Sequence, residues 1–131
     1  GPASVMVEDT AALMAVVLDE AAADRVSAGL EGASEIALSA VTMAEALIVA
    51  GQRGLGPEMQ RLIEGLGTEV VAVTPADAVR VAAVYRRWGK GIHPAGLNFG
   101  DCFSYALAQA RACPLLYVGD DFSQTDVRRT T

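Results

Sequence analysis

The chain has 131 residues, of which 52% are hydrophobic and only 5% aromatic, and its formal net charge is −6. That length suits one compact domain with a core of Ala, Val, Leu and Ile, and the apolar content excludes an intrinsically disordered chain. The acidic balance excludes a protein that coats nucleic acid non-specifically, although cations held by carboxylates would invert that sign locally.

The opening Gly1-Pro2-Ala3-Ser4 reads as a protease scar from an expression tag, so the fold is read as a single domain over 5–131. Residues 5–8 form a short β-prone run ending at Asp9, and Thr10 can cap a helix over 11–18. A second helix is expected over 21–30, then a weak strand over 35–38. Ser39 or Thr42 opens a helix that runs towards Arg53, where Gly54 and Gly56 break it. Pro57 suits the first turn of a helix ending near Gly65 or Gly67. The β-branched run over 69–73 is the clearest strand. Thr74-Pro75 starts a helix that reaches Trp88. A Gly- and Pro-rich loop over 89–98 follows, then a helix over 100–112 and a buried strand over 115–118.

Strands separated by helices imply an α/β fold: a short, mostly parallel central sheet flanked by helices on both faces. No apolar run approaches the roughly 18–20 residues of a membrane span, and no basic segment precedes the first apolar stretch as in a signal peptide. Cys102 and Cys113 are the only cysteines. On one helix they would stand about 16 Å apart, beyond disulfide reach, and two free thiols suit a reducing cytoplasm.

In an open parallel sheet, ligands bind beyond the carboxyl ends of the strands. Asp9 closes the first strand, Asp120 and Asp121 close the last, and Asp101 begins the helix that feeds it. Glu45, early on its own helix, can join them. Gathered carboxylates resist ionisation beside one another unless cations occupy the cluster. Hard oxygen donors select Mg²⁺ or Mn²⁺, and no Cys/His spacing suggests zinc. Such an ion activates water for in-line attack on a phosphodiester. Each acid also has a plain structural reading. Asp9 can cap a helix, Thr42-x-x-Glu45 is a capping-box pattern, Asp101 suits a helix start, and Asp120-Asp121 and Asp126 suit turns. The joint arrangement, not any single acid, carries the functional reading.

Four segments carry a resemblance: Val7-Glu8-Asp9-Thr10-Ala11-Ala12-Leu13; residues 39–45 with Glu45; Gly96-Leu97-Asn98-Phe99-Gly100-Asp101-Cys102-Phe103-Ser104-Tyr105-Ala106; and Pro114-Leu115-Leu116-Tyr117-Val118-Gly119-Asp120-Asp121-Phe122 with Thr125-Asp126. In this order and spacing the chain resembles PIN-domain nucleases of the VapC toxin type. The resemblance implies a PIN-like fold and a metal-dependent endoribonuclease that cleaves structured RNA such as tRNA, leaving 3′-hydroxyl and 5′-phosphate ends. It implies neutralisation by a VapB-type antitoxin, a homodimer, and a heterotetramer or larger assembly with the antitoxin. Asp9, Glu45, Asp101 and Asp121 map to the family's metal-holding, catalytic acids. Glu8 departs from the pattern, standing where an apolar strand residue is usual. It either reaches solvent at the strand end or joins the acids.

No acidic residue falls between Ala78 and Gly100, where Arg80, Arg86, Arg87 and Lys90 lie. Arg86, Arg87, Lys90 and His93 are candidates for RNA phosphate contacts. The alternative is a solvated helix end whose cations suit the dipole. His93 reads either as a general acid–base or as a locally bonded loop residue, and Trp88 as a stacking or a packing residue. Thr10 reads as a cap or as a contact to phosphate or metal-bound water. The rival functions are a PIN nuclease of housekeeping RNA processing and a catalytically idle PIN binding module.

Overall fold

The computed structural model describes residues 5–20, 22–119 and 122–127. Four short apolar runs pair side by side: β1 (Val5–Glu8), β2 (Glu35–Ser39), β3 (Glu69–Val71) and β4 (Leu115–Leu116). Their order is β3-β2-β1-β4, and every pairing is parallel. Parallel neighbours need crossovers, which helices supply. These are α1 (Thr10–Val17), α2 (Ala23–Gly32), α3 (Ala40–Gln52), α4 (Gly56–Gly65), α5 (Pro75–Trp88) and α6 (Phe99–Arg111).

The alternation of strand side chains divides the core into two layers. Val7, Ala37 and Leu115 face α5 and α6, packing with Val84, Trp88, Cys102 and Ala106. Met6, Ile36 and Leu116 face Ala12, Ala15, Val26 and Leu30 of α1 and α2. Leu38 extends that second layer onto Ala46, Ala50, Met59 and Ile63 of α3 and α4. Both faces of the sheet are therefore covered, as expected for a parallel sheet.

Several boundaries differ from the sequence reading. β3 was expected over 69–73 and is only three residues long. It pairs with β2 alone, at the sheet edge, and Val70 remains exposed, so its β-branched run has no second neighbour to extend it. β4 was expected to reach residue 118 but leaves the ladder after Leu116. Its partner β1 ends there: the Asp9 amide donates to the Leu116 carbonyl, and the chain then turns into α1. The second helix starts at Ala23 rather than 21, because Leu18 ends α1 and Asp19 takes a left-handed φ of 51°. Thr10 is not the cap of α1. Asp9 occupies that position and Thr10 is the first helical residue.

The loop over 89–98 is closed on itself. Lys90 donates to the Leu97 carbonyl and the Leu97 amide to Trp88, so the loop returns to its start and aims α6 back across the sheet. Gly89 is required at this closure, since a Cβ there would sit 2.4 Å from the Tyr85 carbonyl oxygen.

Candidate active site

Chain order leads from β1 outward to β2 and β3, then returns to place β4 on the other side of β1. The order therefore reverses between β1 and β4, the position at which open parallel sheets hold their ligands. Asp9 lies there, one residue beyond β1, and is buried with 3% exposure. A cleft of about 410 Å³ opens at this edge, lined by Asp9, Thr10, Glu45, Asn98 and Asp101. Its outer wall carries Met14, Leu18, Val49 and Val118, with Glu20 and Arg53 beside them. Three of the four acids expected at the site thus line one cleft. The fourth, Asp121, and its neighbour Asp120 lie outside the described residues.

Each acid is held by a specific neighbour. Ser104 Oγ donates to Asp9 Oδ1 at 2.8 Å, and the Thr42 hydroxyl meets Ser104 Oγ at 3.1 Å. Thr10 Oγ1 donates to Glu45 Oε1 at 2.5 Å. These bonds overturn the capping-box reading of Thr42 and Glu45. The cap of α3 is Ser39, whose hydroxyl accepts from the Val41 amide, while Thr42 and Glu45 both turn inward. Asp101 does belong to a capping box: it accepts from the Asn98 amide at 3.0 Å, and Asn98 Oδ1 accepts from the Asp101 amide at 2.8 Å. This reciprocal pair fixes the first turn of α6 at the cleft.

Burial pushes Asp9 up to about 6, the nearby Glu45 carboxylate adds to the rise, and the Ser104 hydroxyl and the Thr10 and Ala11 amides pull it down. The site thus keeps a buried carboxylate beside a second one, a pair that a cation would relieve. Among the described residues, no group of three or more His, Cys, Asp or Glu side chains encloses a metal position. The fit to a metal is one of donor chemistry. The polar lining near Asp9 offers carboxylate, hydroxyl and amide oxygens and no thiol or imidazole, which matches Mg²⁺ or Mn²⁺.

Gly100 of α6 lies directly against the Glu45 carboxylate of α3. A Cβ placed on it would stand 2.5 Å from Glu45 Oε2 and 2.7 Å from Oε1. Gly100→Ala should therefore displace the Glu45 carboxylate, which ends a flexible side chain, and leave the backbone in place. For the nuclease expected from the sequence, with Glu45 in its acid set, the predicted result is roughly a tenfold or greater fall in cleavage rate with a melting temperature within a few degrees of wild type. An unchanged rate would show that the position of Glu45 is unimportant.

Glu8 follows neither expectation. It is completely buried, it does not line the cleft, and neither carboxylate oxygen has a hydrogen-bond partner. Strand alternation points it to the same face as Met6, under α1 and α2. Burial, with a smaller contribution from the Asp9 charge, pushes its carboxyl up to about 8.

Of the basic run, Arg86, Arg87, Lys90 and His93 all lie off the lining of this cleft. Arg87 stands 3.8 Å from Asp126 and covers the Trp88 ring at 4.5 Å. Asp126 also accepts from the Tyr105 hydroxyl, which in turn accepts from Trp88 Nε1 at 3.1 Å. Asp126 is thereby occupied in tying the C-terminal segment to α5 and α6. His93 Nδ1 accepts from the Ala95 amide, and its ring packs edge-on against Trp88, contacts that suit the local-bonding alternative for His93 and the packing alternative for Trp88. The sequence reading missed Ser104, Thr42, Asn98 and Arg53. Ser104 had a signal in being three residues beyond Asp101 on one helix face, and Asn98-x-x-Asp101 is itself a capping pattern. Arg53 had none, since only the packing of α3 against α1 brings it to the cleft.

Similarity to known proteins agrees with this geometry. The PIN domain family matches residues 6–128. Ribonuclease VapC36 of Mycobacterium tuberculosis is 46% identical over 127 residues, covering 93% of this chain and 91% of the relative. VapC ribonuclease Mb0640 of Mycobacterium bovis is 40% identical over 126 residues, covering 93% and 95%. Among solved structures, M. tuberculosis VapC20, a Sarcin-Ricin loop cleaving toxin, superposes with a TM-score of 0.77 at 15% identity, covering 95% of this chain and 96% of that one. A toxin–antitoxin complex from Klebsiella pneumoniae superposes with a TM-score of 0.70 at 19% identity, covering 92% of each chain. With its all-parallel sheet and its acids at the β1/β4 edge, the chain belongs to the PIN domain family, within the VapC ribonucleases of toxin–antitoxin systems.

Proposed function

We propose that this chain is a divalent-metal-dependent endoribonuclease toxin, and that Asp9, Glu45, Asp101 and Asp121 hold Mg²⁺ or Mn²⁺. The observation that carries the reading is the convergence of Asp9, Glu45 and Asp101, from three separate elements, on one cleft at the sheet's switch point. When bound, the cation polarises a phosphodiester and lowers the pKa of an attacking water. The remaining work belongs to the protein. Ser104 fixes the orientation of Asp9, Thr10 fixes that of Glu45, and the Asn98 box fixes that of Asp101. The three carboxylates do not enclose a metal position as they stand, so metal binding would draw them together, while the hydrogen bonds limit the orientations each must give up.

Structured RNA such as tRNA is the substrate this reading favours, and a VapB-type antitoxin the partner, acting on a homodimer. The outer cleft wall of Met14, Leu18, Val49 and Val118 suits the apolar face of an antitoxin segment, with a basic side chain turned towards Asp9 and Glu45. Calorimetric titration with Mn²⁺ tests the metal role. Wild type should bind, more tightly as pH rises through about 6, where Asp9 loses its proton. No binding at any pH would sink the reading. Sequencing of RNA ends after induced expression, against an Asp101→Asn control, identifies the target.

Arg53 is the basic side chain on the cleft lining, and none of the ion pairs among the described residues occupies it. It supports the role of a phosphate contact better than Arg86 and Lys90, which lie off the cleft lining. Arg53→Glu should weaken RNA binding by about tenfold or more and reduce its salt dependence by about one counterion. Arg86→Glu and Lys90→Glu should have smaller effects. The opposite ranking, read by RNA binding across a salt series, would return the phosphate role to the end of α5 and the loop that follows it.

A further inference from the structure

We propose that Phe99 is a base-stacking platform beside the acids, so that the preferred substrate carries an unpaired nucleobase next to the bond that is cut. This rests on the ribonuclease reading above and specifies the form of RNA it acts on.

The chain has only three phenylalanines, yet Phe99 is 69% exposed, and α6 displays no other exposed large apolar side chain. Phe99 is not itself on the cleft lining, but its neighbours in sequence border the cleft. Asn98 and Asp101 both line the cleft, and Gly100 lies against the Glu45 carboxylate. The ring is not free to wander. Both hydrogen bonds of the Asn98–Asp101 box fix its backbone, and Phe103 holds it edge-to-face, centroids 4.9 Å apart and planes inclined by 69°. A ring anchored on one side and open on the other loses little freedom when a second flat group lies on it.

Charge decides what that group is. With a net charge of −6 and Arg53 as the one basic side chain among the described residues on the cleft lining, phosphate contacts there are few and leave part of the affinity to the bases. A nucleobase is uncharged and stacks on an aromatic face whatever the local potential, and sequence-specific RNA binding exploits such unstacked bases. A protein contact would be expected to bring further apolar side chains of the same helix to the surface, and α6 offers none.

The test uses the full chain carrying Asp101→Asn, with Mn²⁺ present, and a pool of single-stranded oligoribonucleotides about twelve nucleotides long, with a duplex pool as comparison. Phe99→Ala should weaken single-strand binding by about 10- to 100-fold and leave salt dependence and molecular mass unchanged, and in the otherwise wild-type chain it should leave Mn²⁺ affinity unchanged. Phe99→Trp should restore binding. Phe99→Leu, apolar but without a flat face, should not. The proposal is overturned if Phe99→Ala binds like its parent, if Phe99→Leu is as good as Phe99→Trp, or if the variant instead changes oligomeric mass or loses antitoxin capture while RNA binding persists. In the otherwise wild-type chain, cleavage of cellular RNA separates the two levels of the argument. No cleavage by either form removes the ribonuclease reading, whereas cleavage unaffected by Phe99→Ala removes only the stacking platform.

Discussion

Asp101→Asn should reduce RNA cleavage by roughly 10²- to 10⁴-fold while the protein remains folded. The two halves of that expectation have separate physical grounds. Asp101 serves the fold as an acceptor: its Oδ2 takes the Asn98 amide, and its own amide is taken by Asn98 Oδ1. Asparagine retains a side-chain carbonyl at the same reach, so the box survives, with at most about 1 kcal/mol lost with the charge at the helix N-terminus. The proposed site needs the anion itself. A neutral amide neither offsets a divalent cation nor binds it with comparable strength. Single-turnover cleavage and a thermal melt on the same preparation measure both halves. A folded variant with full activity would remove Asp101 from the catalytic set, and an unfolded one would show that the box tolerates no substitution.

The second large effect concerns stability. Glu8→Leu should raise the melting temperature at pH 8 by roughly 5–15 °C, equivalent to about 2–4 kcal/mol. The native chain encloses a carboxyl group with no hydrogen-bond partner at either oxygen, and leucine fills similar space without polar atoms to desolvate. The pH dependence follows from the same burial. Glu8 rises from 4.5 to about 8 in the folded chain, so between those values the native state holds a proton that the unfolded chain has released. Stability is then greatest below about 4.5 and falls as pH climbs towards 8, by roughly 3–5 kcal/mol in all from this group. Asp9, raised from 3.8 to about 6, adds a smaller loss of the same sign at lower pH. Asp9 ionises first, and its charge then contributes to holding the proton on Glu8, which is why Asp9 figures in the shift of Glu8. Denaturant melts across pH 4–9 should show the slope in wild type and a much flatter profile in Glu8→Leu. A less stable leucine variant would mean that Glu8 has a partner in solution.

Much of the architecture was legible because it depends on local pattern. Thr74-Pro75 announced α5, and the observed capping box between Thr74 and Asp77 shows why that signal was strong: the start of the helix is satisfied by residues three apart. Gly54 and Gly56 marked the break between α3 and α4. Strand ends were less legible, since a strand extends only as far as its neighbour does. β4 stops at Leu116 because β1 turns into a helix after Glu8, and β3 stops at Val71 because β2 is its only partner. Asp9, Glu45 and Asp101 were legible as acids at strand ends and helix starts, but the roles of Thr10, Thr42 and Ser104 were not. Each hydroxyl bonds to a residue 35 to 95 positions away, and no local spacing encodes such a pair.

From its order of residues alone, the chain determined an alternation of strands and helices, and with it a parallel sheet that gathers acids along one edge. That much follows from side-chain periodicity and the stereochemistry of crossovers, which act over a few residues at a time. Only the tertiary structure decided which groups touch. It sealed Glu8 in the core, brought Arg53 rather than Arg86 and Arg87 at the end of α5 to the cleft, and left Phe99 open to water two residues from Asp101. Those outcomes depend on how elements remote in sequence pack, because burial and ionisation respond to the surroundings in space.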